Sequence, residues 1–463
     1  MGKHILNRSN INKTINYIRK NGIKHACYAA MERIEQERKS DYVYDKPDEN
    51  TLAKQREDWK HIPYRFSIIV PAYETKEEHL REMIDSVRRQ SYERWELIIA
   101  DAGDGSRVED IVAQYQDEEN ERRIRYIKLI DNRGISENSN AGIAAAEGDY
   151  VALLDHDDIL TEDALYEMAA AIQRNSTNGE RPVLIYSDED KFDDNSSYFK
   201  EPHFKSDFNL DLILSNNYIC HLMMVETKLI KSLKLRKKYD GAQDYDLVLR
   251  AVSGLLDEMS VNDVGKKIVH IPRVLYHWRC HRDSTAENTA SKSYAYEAGK
   301  SALEDFCKRR GWNTNISHAL HLGFYKIEYL PDMFSVRPEV GIIGGRVLDR
   351  HNKITSGIYT EKGERMYKGL HKEYSGGSTH RASLMQECSA VDIRCMRLCR
   401  ELQPLFTEIT GVMYKESGKQ MLADVSSLSC DEEGYKKLSM KLGDAATERG
   451  YLVVWNPELT VKA

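Results

Sequence analysis

Gly148-Asp149-Tyr150-Val151-Ala152-Leu153-Leu154-Asp155-His156-Asp157-Asp158 passes from a turn glycine through a short apolar run into three carboxylates. The run Tyr150–Leu154 has the length and composition of a buried strand. Carboxylates gathered at the end of such a strand are unfavourable unless something positive binds there. Side chains two apart on an extended chain point the same way, so Asp155 and Asp157 face one site. A hard divalent cation bridging two phosphates suits that site. A helix cap at Asp158 or Thr161 accounts for one acid but not for three.

On either side of this stretch, strand and helix patterns alternate. Phe66–Val70 is a β-branched apolar run ended by Pro71, and Glu77–Arg89 reads as a helix with Leu80, Met83, Ile84 and Val87 on one face. Trp95–Ala100 is a second strand ending at Asp101, Ile124–Ile130 a third, and Ser136–Ala146 a helix broken by Gly148. This order predicts a mostly parallel sheet with crossover helices, an α/β Rossmann-like fold. Ligands bind such sheets beyond the carboxyl ends of the strands. Pro71–Tyr73, Asp101–Asp104 and Asp155–Asp158 all fall at those ends.

Three further stretches carry candidate chemistry. Asp101-Ala102-Gly103-Asp104-Gly105-Ser106 permits a tight turn with a carboxylate able to accept from a base or a ribose hydroxyl, although Asp-Gly-Ser turns are common. Gln243-Asp244-Tyr245-Asp246-Leu247 opens a helix, so Asp244 is either a cap or a general base at the positive helix end. Tyr276-His277-Trp278-Arg279-Cys280-His281-Arg282-Asp283-Ser284 is rich in groups that steady a departing diphosphate or ligate a metal; a solvated basic loop is the alternative.

The 463-residue chain is expected to form two or three domains. Its net charge of −7 argues against a nucleic-acid partner. No segment approaches a membrane span, and the polar start shows no signal core, so a cytoplasmic protein is expected. The eight cysteines include no C-x-x-C pair and read as reduced, small core residues rather than a zinc site. Residues 1–62 read as a helical extension and linker. Its basic start (Lys3, Arg8, Lys13, Arg19, Lys20, Lys24) allows peripheral contact with anionic lipid at the inner face of the plasma membrane. Residues 63–321 hold the sheet pattern, and 322–463 read as a smaller α+β domain.

Taken in order, Ser67-Ile68-Ile69-Val70-Pro71-Ala72-Tyr73, Trp95–Asp101, Gly148–Asp158, Tyr186-Ser187-Asp188-Glu189-Asp190-Lys191, Gln243–Leu247 and Tyr276–Arg279 resemble the family 2 glycosyltransferases, which have the GT-A fold. The wording is closest to bacterial enzymes of O-antigen, capsule or rhamnose-rich polysaccharide synthesis. The resemblance implies an inverting transfer of a sugar from a UDP-, dTDP- or GDP-linked donor to a glycan or lipid-linked glycan acceptor, assisted by Mn2+ or Mg2+. Pro71 and Tyr73 would line the nucleotide pocket, with Asp101 on the nucleoside. Asp155, with His156 beside it, and Asp157 stand at the family's D-x-D motif, so both acids are expected on the metal and Asp155 on the donor diphosphate. Asp188 and Glu189 would sit near donor sugar or acceptor, and Asp244 at the base. His277, Arg279 and Ser284 match a loop touching metal or diphosphate. The nucleoside motif commonly has two adjacent acids; here Ala102 takes the second place and Asp104 is the candidate substitute.

Val340–Asp349 and Gly450–Pro457 resemble pieces of the latter half of a second such domain, without its D-x-D, and are expected to be catalytically silent. Holding the acceptor, self-association and docking at the membrane are roles open to them. Two other readings compete with the transferase. A nucleotidyltransferase would carry a basic glycine-rich loop after the first strand, where Pro71-Ala72-Tyr73-Glu74 stands instead. A non-catalytic scaffold that binds nucleotide sugar would not need Asp155, Asp157 and Asp244 together.

Overall fold

The computed structural model describes residues 8–37, 42–118, 121–194, 198–280 and 293–462. The chain forms two compact units: Tyr42–Asn209 with Asn216–Trp312, and Met1–Asp41 with Leu210–Ser215 and Asn313–Ala463. These units differ from the segments expected at 1–62, 63–321 and 322–463. The helix α1 (Arg8–Glu37) groups with the C-terminal unit because Glu32 is buried against the backbone of Ser375–Gly377. The helix α2 (Glu49–Asp58) groups with the sheet unit through buried Leu52 and through Gln55, which bonds Ser91 and Glu167.

The sheet unit is built on β1 (Phe66–Ala72), β2 (Trp95–Asp101), β3 (Ile124–Lys128), β4 (Tyr150–Leu153), β5 (Ile159–Leu160), β6 (Leu184–Phe192), β7 (Lys200–His203), β8 (Met223–Glu226) and β9 (Ile268–Arg279). Their order is β3-β2-β1-β4-β8-β6-β9-β5, with β7 on β6. The first four neighbours are parallel; β8 runs antiparallel to both β4 and β6, and β6–β9 is parallel again. This is the mostly parallel α/β sheet of a GT-A fold. Crossover helices α3 (Glu77–Arg88), α4 (Arg107–Glu118), α5 (Ile135–Ala145) and α6 (Ala164–Arg174) join successive strands. In α3 the buried positions Leu80, Met83, Ile84 and Val87 recur at helical spacing, and Glu77 and Glu78 sit in its first turn, where the dipole favours them.

Several expected boundaries move: β3 ends at Lys128 rather than Ile130, and β4 at Leu153 rather than Leu154. β1 continues past Pro71 to Ala72. Its pairing with β4 ends at Ile69, so the missing Pro71 N–H breaks no ladder on that side. The parallel register then sets Ala72 beside Asp101 and Asp101 beside Lys128. Gly148 passes so close to β1 that an added Cβ would meet the Arg65 carbonyl at 2.7 Å, which fixes where β4 begins.

The second unit contains a smaller sheet in which Val340–Leu348 is central. It pairs parallel with Leu452–Lys462 and antiparallel with Ile354–Ser356 and Met396–Leu398. Helices Gln403–Thr410 and Glu432–Glu448 supply Phe406, Leu442 and Ala446 to a core shared with Ile342, Val453 and Trp455. No helix among the described residues is long and apolar enough to cross a membrane.

Candidate active site

The ends of β1 and β2 are built around Asp101. Its carboxylate is buried and accepts from the Gly103 amide (2.9 Å), the Tyr126 hydroxyl (2.9 Å) and Lys128 Nζ (3.1 Å). Burial and the Asp101 charge push the Tyr126 hydroxyl's pKa up, which keeps it a donor. Asp101 therefore braces the turn from within. Tyr73 is 48% exposed beside half-buried Pro71, and Asp104 is exposed at the turn. Gly134, with φ of +97°, lets the loop after β3 approach Asp240, whose carboxylate would stand 2.4 Å from an added Cβ.

The acidic run after β4 divides into two roles. Asp158 turns inward, 1% exposed, and accepts from the Tyr276 hydroxyl and from the Arg279 amide at 2.7 Å. Burial, then Asp157 and Asp155, hold its pKa well above the usual carboxylate range. Asp155, His156 and Asp157 are partly exposed. The Asp155 pKa is raised first by burial and then by the charges of Asp157 and Asp244, against lowering by His221 and His156. Asp155, Asp157 and Asp244 thus share one electrostatic neighbourhood although 89 residues separate Asp155 from Asp244.

Asp244 lies in the first turn of the helix Gln243–Glu258. Its Oδ2 accepts from Asn217 Nδ2 (2.9 Å) and from Cys220 Sγ (3.1 Å). Burial and the Asp244 charge push the Cys220 thiol well up, so it stays protonated and donating. Beside it, His221 stacks on Tyr276 with ring centres 4.8 Å apart and an interplanar angle of 12°.

Asp188 and Glu189 sit in a buried network on β6. Asp188 Oδ1 accepts from the Lys205 amide and from His270 Nε2, both at 2.8 Å. Glu189 faces Lys205 Nζ at 3.4 Å and His203 Nδ1 at 3.3 Å. Burial alone would raise the Glu189 pKa, but Lys205 and His203 hold it below the ordinary range. Lys205 also donates to the His221 carbonyl, which ties this network to the acid cluster.

His277 pairs with Ile159 across β9 and β5, and its ring is engaged by β6. Its Nδ1 is 2.5 Å from Asp190, its ring stacks on Phe199 at 3.8 Å, and Tyr44 meets it edge-on. The largest influences on Asp155 come from His221, Asp157, His156 and Asp244, not from His277. Arg279 is likewise engaged, by Glu82, Asp194 and the Asp157 carbonyl. Ser284 lies outside the described residues. Pattern reading missed Asn217, Cys220, His221 and Lys205. They come from an irregular stretch between β7 and β8 with no periodicity to mark them, although the polar cluster Asn216-Asn217 and His221 was visible.

Among the described residues no group of three or more His, Cys, Asp or Glu side chains stands ready to hold a metal. Asp155 and Asp157 do fit a hard cation that takes its other ligands from a diphosphate and water. They are carboxylates, the Asp155 carboxylate is destabilised by its acidic neighbours, and no hydrogen bond from a described residue reaches it.

The sheet is of the α/β kind in which ligands bind beyond the strand ends, and acids from the end of β4 and from a distant helix share one electrostatic neighbourhood there. Residues 67–233 match the family described as Glycosyl transferase family 2. The chain is 38% identical over 245 residues to the uncharacterized protein y4gI of Sinorhizobium fredii, covering 52% of this chain and 25% of that protein. It is 30% identical over 265 residues to the O-antigen biosynthesis protein RfbC of Myxococcus xanthus, covering 57% of this chain and 19% of RfbC. It therefore spans a quarter or less of the length of these relatives. Among solved structures, S. aureus TarS 1-349 in complex with UDP-GlcNAc aligns at 18% identity and a TM-score of 0.39, over 53% of this chain and 72% of that one.

Proposed function

We propose that the sheet unit transfers a sugar from a nucleotide-sugar donor to a hydroxyl of a surface-polysaccharide acceptor, with inversion at the anomeric carbon. The convergence of Asp155, Asp157 and Asp244 carries this reading. The name of RfbC supports the polysaccharide context. Asp155 and Asp157 would hold Mn2+ or Mg2+, which when bound offsets diphosphate charge. Pro71 and Tyr73 would flank the base, while Asp101 shapes their turn. Asp188 and Glu189 reach the site through Lys205 and would orient donor sugar or acceptor. His277 and Arg279 would brace the strand behind it.

Asp244 would take the acceptor proton. Asn217 and Cys220 both donate to Oδ2, which orients the carboxylate and leaves Oδ1 to receive the hydrogen. The acceptor oxygen forms its bond to the anomeric carbon as the bond to the diphosphate breaks, and the nucleoside diphosphate departs. The chain bound to lipid-linked glycan is the form in which this reaction would run.

The test is a melting-temperature panel of UDP-, dTDP- and GDP-sugars with Mn2+, followed by donor turnover. One donor should raise the melting temperature. Asp244→Asn should keep that rise while turnover falls by about 10²–10⁴. No rise with any donor sinks the proposal.

A further inference from the structure

The N-terminal helix shows two faces that its sequence alone does not distinguish. After the break at Gly22 (φ +81°), one face of α1 is locked to the C-terminal unit. Glu32, 7% exposed, accepts from the Ser375 amide (2.9 Å), the Ser375 hydroxyl (3.1 Å), the Gly376 amide (2.7 Å) and the Gly377 amide (3.1 Å). Consecutive amides around a carboxylate form a strong, directional anion cradle. Tyr28 on the same side stacks on His371 at 4.7 Å, and the Tyr374 hydroxyl donates to Glu35 at 3.3 Å.

The opposite face holds Ile23, Cys27, Met31 and Ile34, spaced four, four and three residues apart and so on one side of a helix. Ile23 is 70%, Met31 50% and Ile34 48% exposed, and Cys27 is exposed. The cradle around Glu32 prevents the helix from rolling to bury them. From Arg8 to Glu37 the helix holds six Lys or Arg against three acids, of which Glu32 and Glu35 are bonded to the C-terminal unit. Arg19, Lys24 and Arg33 are exposed; Lys24 lies on the docked side, 3.9 Å from Glu373 and over the Tyr28 ring. The whole chain carries −7, so this helix is a positive island on an acidic protein.

We propose that this face of α1 rests on an anionic lipid surface, with Ile23, Met31 and Ile34 entering the headgroup boundary and the basic side chains contacting lipid phosphates. An exposed apolar stripe flanked by cations has that complementarity, and the excess negative charge elsewhere makes the orientation unique. A second copy of the chain would bring the same basic flanks together and is disfavoured for that reason.

The experiment is flotation of the full chain with phosphatidylcholine vesicles, with and without phosphatidylglycerol, alongside light scattering for oligomeric state. Binding is expected only with phosphatidylglycerol and should be lost in high salt. The triple variant Ile23→Asp/Met31→Asp/Ile34→Asp should lower bound protein by roughly tenfold or more, and Arg19→Glu by several-fold. An unchanged circular dichroism spectrum and melting temperature confirm that the variants are folded; Arg19→Glu keeps the test decisive if the triple variant is not. Absence of binding to anionic vesicles overturns the proposal. So does unchanged binding by folded variants, and so does a parent dimer that the triple variant converts to a monomer without any vesicle binding.

Discussion

The acid cluster of the sheet unit and the buried ion pair of the C-terminal unit contain the same side-chain chemistry in opposite states. In the C-terminal unit Asp211 is 1% and Arg337 0% exposed, with Nη1 to Oδ1 at 2.5 Å. Arg337 Nε also reaches Glu339 at 2.9 Å, and Glu387 accepts the Leu210 amide at 2.9 Å. Each buried acid there has a permanent cation or backbone donors nearby. Around Asp155 the opposing groups are two histidines, and the rest are further acids. A carboxylate answered by a guanidinium holds the fold; the proposed function instead sets Asp155 and Asp157 against a divalent cation.

The comparison breaks most sharply at Asp155. Asp155→Asn should cut donor turnover by about 10³ and abolish the effect of Mn2+ on melting. It should leave the melting temperature of the unliganded protein the same or higher, because a charge repelled by Asp157 and Asp244 is gone. A fall of several degrees would mean that Asp155 is a structural acid after all.

Arg337→Met tests the other side. It strands Asp211 without its cation and should destabilise the C-terminal unit by about 3–5 kcal/mol in urea unfolding. Adding Asp211→Asn should restore much of that loss, since the uncompensated charge and not the missing contact carries most of it. If Arg337→Met unfolds with the parent midpoint, the pair does not hold the unit and the contrast with Asp155 fails.

How far the sequence shows these sites depends on whether period and motif coincide. β1 to β4 and α3 were legible because parallel, doubly covered strands are continuous apolar runs and α3 has one apolar face. Asp155 and Asp157 stand out in the sequence because they follow such a run, and Asp244 because it opens a helix pattern. The inward turn of Asp158 was not, because pairing with Tyr276 depends on β9, more than a hundred residues away. Neither was the Asp190–His277 pair, which the β6–β9 register creates. Leu210–Ser215 reads as part of the sheet region, yet its contacts assign it to the C-terminal unit. Single charged residues such as Arg337, set between Val336 and Pro338, give no local sign that they will pair with a buried acid far away in sequence.

The smallest effect is expected at Glu387. Burial, then the Asp211 charge, push its pKa up to about 8 against the opposing pull of Arg337. An ordinary glutamate releases its proton near 4.5, so between there and about 8 the folded chain holds a proton that the unfolded chain has lost. Stability from this group must therefore fall as pH rises through that window and level off above it. Glu387→Gln retains an oxygen for the Leu210 amide but has no proton to release. Its melting curves should match the parent's near pH 4.5 and exceed them at pH 8, by on the order of 2 kcal/mol. Parallel pH profiles for the two proteins would show that Glu387 is already paid for by Arg337 as an ion, and that the buried cluster is better compensated than the contrast with Asp155 requires.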